Sequence, residues 1–317
     1  MMVRRFINSS ILIVLAVLSA GLAKAEAKPL CIVSYNVENL FHPERDSLNP
    51  DTLFTPQGER RWSYKRYNSK VENIARVLTN IGEWKGVDIV GLQEVEDAQA
   101  VRKLCTVLRR NEYDFVHYDS PDRRGIDVAL MYRKARFDTL FTKAMPVDLG
   151  EQTTRDILYV SGLCDKRDTL HLFVCHLPSQ LGGTAESEWK RVAAKRVLQR
   201  AVDSILNIRP EAKIIVMGDM NSAPKQDLNG LSNRMTELEK QGKGTHKYQG
   251  RWTCLDQFYT SAAVDSISHV RIYDAEWIQE TDEKHLGLKP KRCFVGFRYQ
   301  NGFSDHLPIV MDAEFSR

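Results

Sequence analysis

The 317-residue chain has no strong bias of charge, with 45 Lys and Arg against 41 Asp and Glu. Three of the basic residues, Arg4, Arg5 and Lys24, fall in a first 25 residues that hold no acid. The rest is nearly neutral, at 42 basic to 41 acidic residues, so composition gives no support to tight, non-specific nucleic-acid binding. No segment approaches the roughly 18 apolar residues of a membrane span. There is no repeat of fixed short period, no low-complexity tract and no linker, and one domain is expected. No Cys/His spacing suggests zinc. The six cysteines, Cys31, Cys105, Cys164, Cys175, Cys254 and Cys293, are widely scattered. A chain this long does not need disulfide staples, and buried free thiols are expected for most of them.

What is present begins with a targeting pattern. Arg4 and Arg5 form a positive n-region, Ile11 to Leu18 an apolar run, and Ala23-Lys24-Ala25 a small-x-small cleavage site. That is the pattern of a cleaved secretory signal over residues 1–25, with a single mature domain over 26–317. An exported, monomeric protein without stable membrane insertion is expected.

The stretch KIIVMGDMNSAP, Lys213 to Pro224, organises the rest. Ile214 to Gly218 reads as a buried strand, short and mostly β-branched. Asp219 and Asn221 follow at once, where side chains on the rim of a sheet can converge on a ligand. Asn, Ser and Pro are also ordinary turn formers, so this stretch alone leaves a simple turn open.

Similar polar groups follow other apolar strands. Leu30 to Tyr35 ends in Asn36, VDIVGLQEV delivers Glu94, TLHLFVCH ends at His176, and Ser304-Asp305-His306 precedes the strand LPIVMDAEF. Between them, Tyr67, Val71, Ile74, Ala75 and Leu78 fall on one helical face, which predicts a helix over 64–81. A second helix is expected over 98–108, and a third, long one is capped by Thr184. Residues 113–175 read mainly as strands, with a hairpin turn at Asp165-Lys166-Arg167-Asp168. Strands are also expected over Arg251–Tyr259, which carries Asp256, and over His269–Trp277. This order fits two mixed sheets packed face to face with helices outside.

The set Asn36, Glu94, His176, Asp219, Asn221, Asp305 and His306 offers hard oxygen ligands and two imidazoles without sulfur. Such donors favour Mg²⁺, Ca²⁺ or Mn²⁺ over zinc, in the manner of phosphate-handling sites. Two histidines can stabilise or protonate a phosphoryl group, and an Asp with a neighbouring Asn can orient an attacking water.

The stretches SYNVENLF, GLQEVED, GIDVALMYR, CHLPS, GDMNSAP and SDHLPIV, in this order, resemble the endonuclease/exonuclease/phosphatase superfamily. The resemblance spans about residues 30–315. It implies an α/β fold, a four-layered αββα sandwich, that hydrolyses phosphate esters with Mg²⁺ or a similar ion. It implies metal ligation by Glu94 with Asn36 and Asp305, and water activation and phosphate holding by Asp219 and Asn221. It also implies a phosphate-facing His306 oriented by Asp256, and His176 as a second catalytic histidine. Segments such as GFRYQNGFSDH resemble secreted bacterial members, so a secreted nuclease on DNA or RNA is the first expectation. Hydrolysis of lipid head groups or small phosphate esters is the second, and a non-catalytic binding protein a weaker third. Arg123, Arg124, Lys190, Arg191 and Arg292 are candidates to grip phosphate, although solvated basic residues are the plainer reading.

Overall fold

The structure is a computed structural model. It describes residues 29–44, 53–109, 111–180, 182–224, 228–264 and 266–315, and the expected leader lies outside these. The chain runs β1 (Leu30–Leu40), α1 (Tyr64–Gly82), β2 (Ile89–Val95), α2 (Ala98–Arg109), β3 (Tyr113–His117), β4 (Asp127–Arg133), β5 (Phe137–Met145), β6 (Ile157–Cys164) and β7 (Asp168–His176). There follow α3 (Thr184–Ile208), β8 (Lys213–Asp219), β9 (Leu231–Asn233), α4 (Thr236–Lys240), β10 (His246–Tyr248), β11 (Arg251–Thr253), β12 (Asp256–Ser261) and β13 (Ser266–Ile272). Two small hairpins, β14 (Gln279–Thr281) with β15 (Leu288–Pro290) and β16 (Phe294–Val295) with β17 (Arg298–Tyr299), precede β18 (Ile309–Glu314).

The period-two alternation of a strand explains the layers. In β7, Leu170, Leu172 and Val174 join one buried cluster, while Phe173 and Cys175 join another. In β8, Ile215 and Met217 go with the first, Ile214 and Val216 with the second. The first cluster fills the space between two six-stranded mixed sheets, ordered β13-β18-β1-β2-β4-β3 and β5-β6-β7-β8-β12-β9, and continues to the helices α1 and α2. Beyond the outer face of the second sheet, α3 buries Ala194, Leu198 and Val202 against Phe173 and Val216. Beyond the first, α1 turns Tyr67, Val71, Ile74 and Leu78 inward. The side chain of Ser63 caps α1 by accepting from the Arg66 amide, worth about 1 kcal/mol. The expected αββα sandwich is the observed fold.

Each sheet has one parallel pair at its centre, β1 with β2 and β7 with β8. The sheets approach closely where they face. A Cβ on Gly91 of β2 would lie 2.7 Å from the Met217 sulfur of β8. All six cysteines are free, five of them buried and Cys31 half-buried.

Three boundaries differ from the sequence reading. Thr184 is the first residue of α3 rather than its cap. Its hydroxyl donates to Gln180 Oε1, and the cap position falls on Gly183. The strand expected over Arg251–Tyr259 breaks at Cys254-Leu255, where the chain leaves the β10–β11 hairpin and enters the second sheet. The strand expected over His269–Trp277 stops at Ile272, opposite Ile309, where β18 begins.

Candidate active site

The two parallel pairs deliver their carboxyl ends to one place. His176 and Asp219 are paired neighbours at the ends of β7 and β8. The parity that points Val174 and Met217 between the sheets carries on to them. Their backbones are close enough that residue 218 has to be glycine. It sits at φ +141°, and a Cβ there would lie 1.9 Å from the Cys175 carbonyl oxygen. From the other sheet, Asn36 of β1 donates from Nδ2 to Asp219 Oδ2 at 3.1 Å. Asp256, the first residue of β12, lies opposite Asp219 across an antiparallel pair.

Asp219 is the hub. It is buried and its Oδ1 accepts from the Asn221 amide at 2.8 Å. Its Oδ2 is 3.6 Å from His176 Nε2 and 3.9 Å from His306 Nε2. Burial raises the Asp219 carboxyl to about 6, with His306 pulling the other way. His306 donates from Nδ1 to Asp256 Oδ2 at 2.7 Å. Burial opposes a charge on that ring, but Asp256 and Asp219 outweigh it and hold the imidazolium well above the usual histidine range. His176 is its opposite. Burial first, then Arg155, Arg124 and His306, keep it neutral, far below the usual range.

Glu94 reaches the rim through its backbone. It occupies a left-handed position at φ +64°, where the pairing register of β2 shifts. Its Oε2 accepts from the Asn39 amide at 2.9 Å and lies 3.6 Å from the Arg124 guanidinium. Asp305 lies 2.9 Å from the Arg292 guanidinium. Burial would raise its carboxyl, yet Arg292 and His306 bring it down to about 2.

The geometry therefore gathers Asn36, His176, Asp219, Asp256 and His306 into one contact network, with Asn221 attached through its backbone. The Asn221 side chain itself donates to the Leu177 carbonyl at 2.9 Å, which holds the loop after β8. Glu94 sits beside this network with Asn39. Among the described residues, Asp305 forms a close donor group with His246 and His306, and Glu94 stands outside that group.

Several residues of the site had no sequence signal. His246, at the start of β10, packs at a tilt against His306 with ring centroids 4.9 Å apart. Arg155 holds the carbonyls of His176 and Leu177 from beneath. Glu38 is buried between Arg292 and the Cys293 amide, and burial with Asp305 raises its carboxyl to about 7. Conversely, Arg191 is neither solvated nor a phosphate grip. It is buried and ties together Pro178, Thr184 and Ser187 at the start of α3.

A profile of the Endonuclease/Exonuclease/phosphatase family matches residues 31–314. The chain belongs to this family. Proteins of known structure share the fold at low identity. Truncated TDP2 of Caenorhabditis elegans is 18% identical over 91% of this chain and 98% of its own, with a TM-score of 0.58. The human Nocturnin catalytic domain with bound sulfate is 18% identical over 92% and 97%, at 0.54. A mannosyl-6-phosphatase of Bacteroides thetaiotaomicron is 15% identical over 90% and 100%, at 0.57. No curated protein matches the chain. Family membership makes the chain a hydrolase of phosphate esters.

Proposed function

We propose that the chain is an exported, divalent-metal-dependent phosphodiesterase, a nuclease that cleaves DNA or RNA. The observation that carries this reading is the pairing of one lasting imidazolium, His306, with one weakly acidic carboxylate, Asp219. Asp219 takes a proton from the attacking water, with Asn36 and the Asn221 amide fixing its orientation. His306, oriented by Asp256 through Nδ1, presents its positive Nε2 side to the charge that builds on the phosphoryl group. His176 is neutral and adds a hydrogen-bonding group without adding charge.

Glu94 and Asn36 come from neighbouring strands, whereas Asp305 is paired to Arg292 and grouped with His246 and His306. The family resemblance assigns an ion to Glu94, Asn36 and Asp305. They are hard oxygen donors, which suits Mg²⁺, with Mn²⁺ or Ca²⁺ as alternatives. A bound ion supplies Lewis-acid stabilisation of a phosphoryl oxygen. Glu94→Gln is expected to weaken Mg²⁺ activation and cut turnover, with partial rescue at high Mg²⁺. Full activity of that variant in EDTA would overturn the metal dependence.

Local charge favours a diester. Arg124 is committed to Asn39 and Glu94, and Arg292 to Glu38 and Asp305. His306, itself ion-paired to Asp256, is the cation of the network, and so little positive charge suits a singly charged phosphodiester better than a monoester dianion. The same commitments, with the near-neutral composition, support a second reading in which the diester is a small molecule or lipid head group. Plasmid, single-stranded DNA, RNA, bis-p-nitrophenyl phosphate, p-nitrophenyl phosphate and sphingomyelin, each with Mg²⁺, Mn²⁺ or EDTA, separate these. Turnover of nucleic acid supports the nuclease, and a preference for p-nitrophenyl phosphate overturns the diester reading. Export is tested by mass spectrometry of the native protein, whose first residue is expected near Glu26.

A further inference from the structure

The segment between β3 and β4 reaches the active site with Arg124, whose guanidinium donates to Asn39 Oδ1 at 2.7 Å and faces Glu94. Its two feet are His117, the last residue of β3, and Asp127, the first of β4. The His117 ring is only 2% exposed, yet its Nε2 has no hydrogen-bond partner and lies 3.9 Å from Asp127 Oδ2. Asp119 approaches the ring from the solvent side, with its Oδ1 3.8 Å from Nδ1. One donor atom from each of the three lies within 4.8 Å of the other two. An unpaired buried imidazole nitrogen is costly, on the order of 1–3 kcal/mol. A neighbouring carboxylate at this distance is too far to relieve that cost by a direct hydrogen bond.

We propose that His117, Asp119 and Asp127 form a second cation site, separate from the catalytic network, that takes a divalent transition-metal ion such as Zn²⁺ or Mn²⁺. One imidazole with two carboxylates is a donor set for such borderline ions, whereas Mg²⁺ prefers oxygen alone. Donors about 2.0–2.2 Å from one ion stand at most about 4.4 Å apart. The His117–Asp127 separation already meets that limit. Asp119, whose nearest approach is to the other ring nitrogen, Nδ1, reaches the Nε2 side by a turn of a side chain that is 72% exposed. That exposure also gives the ion an entry path and room for water ligands. The ion ties together both feet of the segment that carries Arg124, so it acts on the active site by fixing the segment. Ser120, which donates to Asp127, and Asp122, ion-paired to Arg155 at 2.9 Å, tie the segment down on its other side.

The test counts metal and needs no turnover, so its result is independent of the proposed phosphodiesterase activity. Full-length wild type and Glu94→Gln are dialysed to equilibrium against Zn²⁺, and bound zinc is counted per chain. The same is done with His117→Gln or Asp119→Asn added to each. His117→Gln is expected to lower the count by one ion in both backgrounds. Asp119→Asn is expected to weaken that ion by at least 10- to 100-fold, the loss typical of even an outer-shell partner. Asp119 is on the surface, so its variant keeps the fold and decides the matter if His117→Gln does not fold. An unchanged zinc count and affinity in the Asp119→Asn proteins overturns the proposal, and so does an unchanged count in His117→Gln.

Discussion

Asp219 lies between a charged and a neutral imidazole, and this asymmetry sets measurable behaviour. Asp219→Asn is expected to lower kcat by about 10²- to 10⁴-fold. KM should move little, because the lost interaction acts on the transition state. His306→Ala should cost at least as much. Asp256→Asn should cost less, and should add little on top of His306→Ala, because an orienting carboxylate then has nothing to orient. Independent, multiplicative losses in the double variant would remove Asp256 from the mechanism. The pH dependence follows in sign. Asp219 titrates at about 6, so below that pH it already holds a proton and cannot accept one from water. A kcat/KM measured against pH should therefore fall on the acid side of about 6. His306 keeps its proton well above the usual histidine range, which places the alkaline limb beyond neutrality. A profile that is flat from pH 5 to 8 would contradict the Asp219 assignment.

At the level of elements, the face-to-face contact of β2 and β8 depends on the missing side chain at Gly91. Gly91→Ala pushes a methyl group against Met217 and Val174 and should destabilise by about 1–3 kcal/mol, read as a shift in the denaturant midpoint. Leu78→Ala, on the buried face of α1, should cost about 2–5 kcal/mol. These elements were legible because their periods are regular: every third or fourth residue in α1, alternate residues in β7 and β8. The polar ends of those strands were legible for the same reason, since parity carries His176 and Asp219 into the groove. Glu94 was legible as a residue but not in its geometry. A left-handed position in a strand, φ +64° at a register shift, leaves no mark in an apolar pattern. His246 and Arg155 were not legible at all. His246 comes from a small hairpin that bridges to His306, and Arg155 from the loop before β6, where no periodic pattern marks a residue that reaches the end of β7. Arg191 was misjudged because a basic residue in an amphipathic helix reads as solvated, while here it satisfies backbone carbonyls at the helix start.

The whole molecule is a sandwich whose candidate site draws on both halves. Asn36 and Glu94 belong to one sheet and His176, Asp219 and Asp256 to the other. Its thiols report on that packing. Burial pushes Cys31, Cys105 and Cys164 up to about 12, and Cys175 and Cys254 rise as well. Native protein at pH 8 is therefore expected to react slowly with a thiol-specific disulfide reagent. All six cysteines should react at once in denaturant, without prior reduction. A requirement for reduction would show that disulfides form after all.

The placement of β18 bears on how the protein is made. This strand fills the gap between β13 and β1, and His306 lies just before it. Leu30, at the start of the described chain, pairs with Ala313 near its end. A ribosome therefore releases the charged imidazole and the closing strand of the first sheet after every other described strand. Until then the nascent chain has Asp219 but neither its charged partner nor a closed sheet to hold Asn36 in place. For a hydrolase of phosphate esters, synthesis itself acts as a safety catch: a stalled or truncated chain is expected to lack activity, which ribosome-bound nascent chains assayed on a phosphate ester would test.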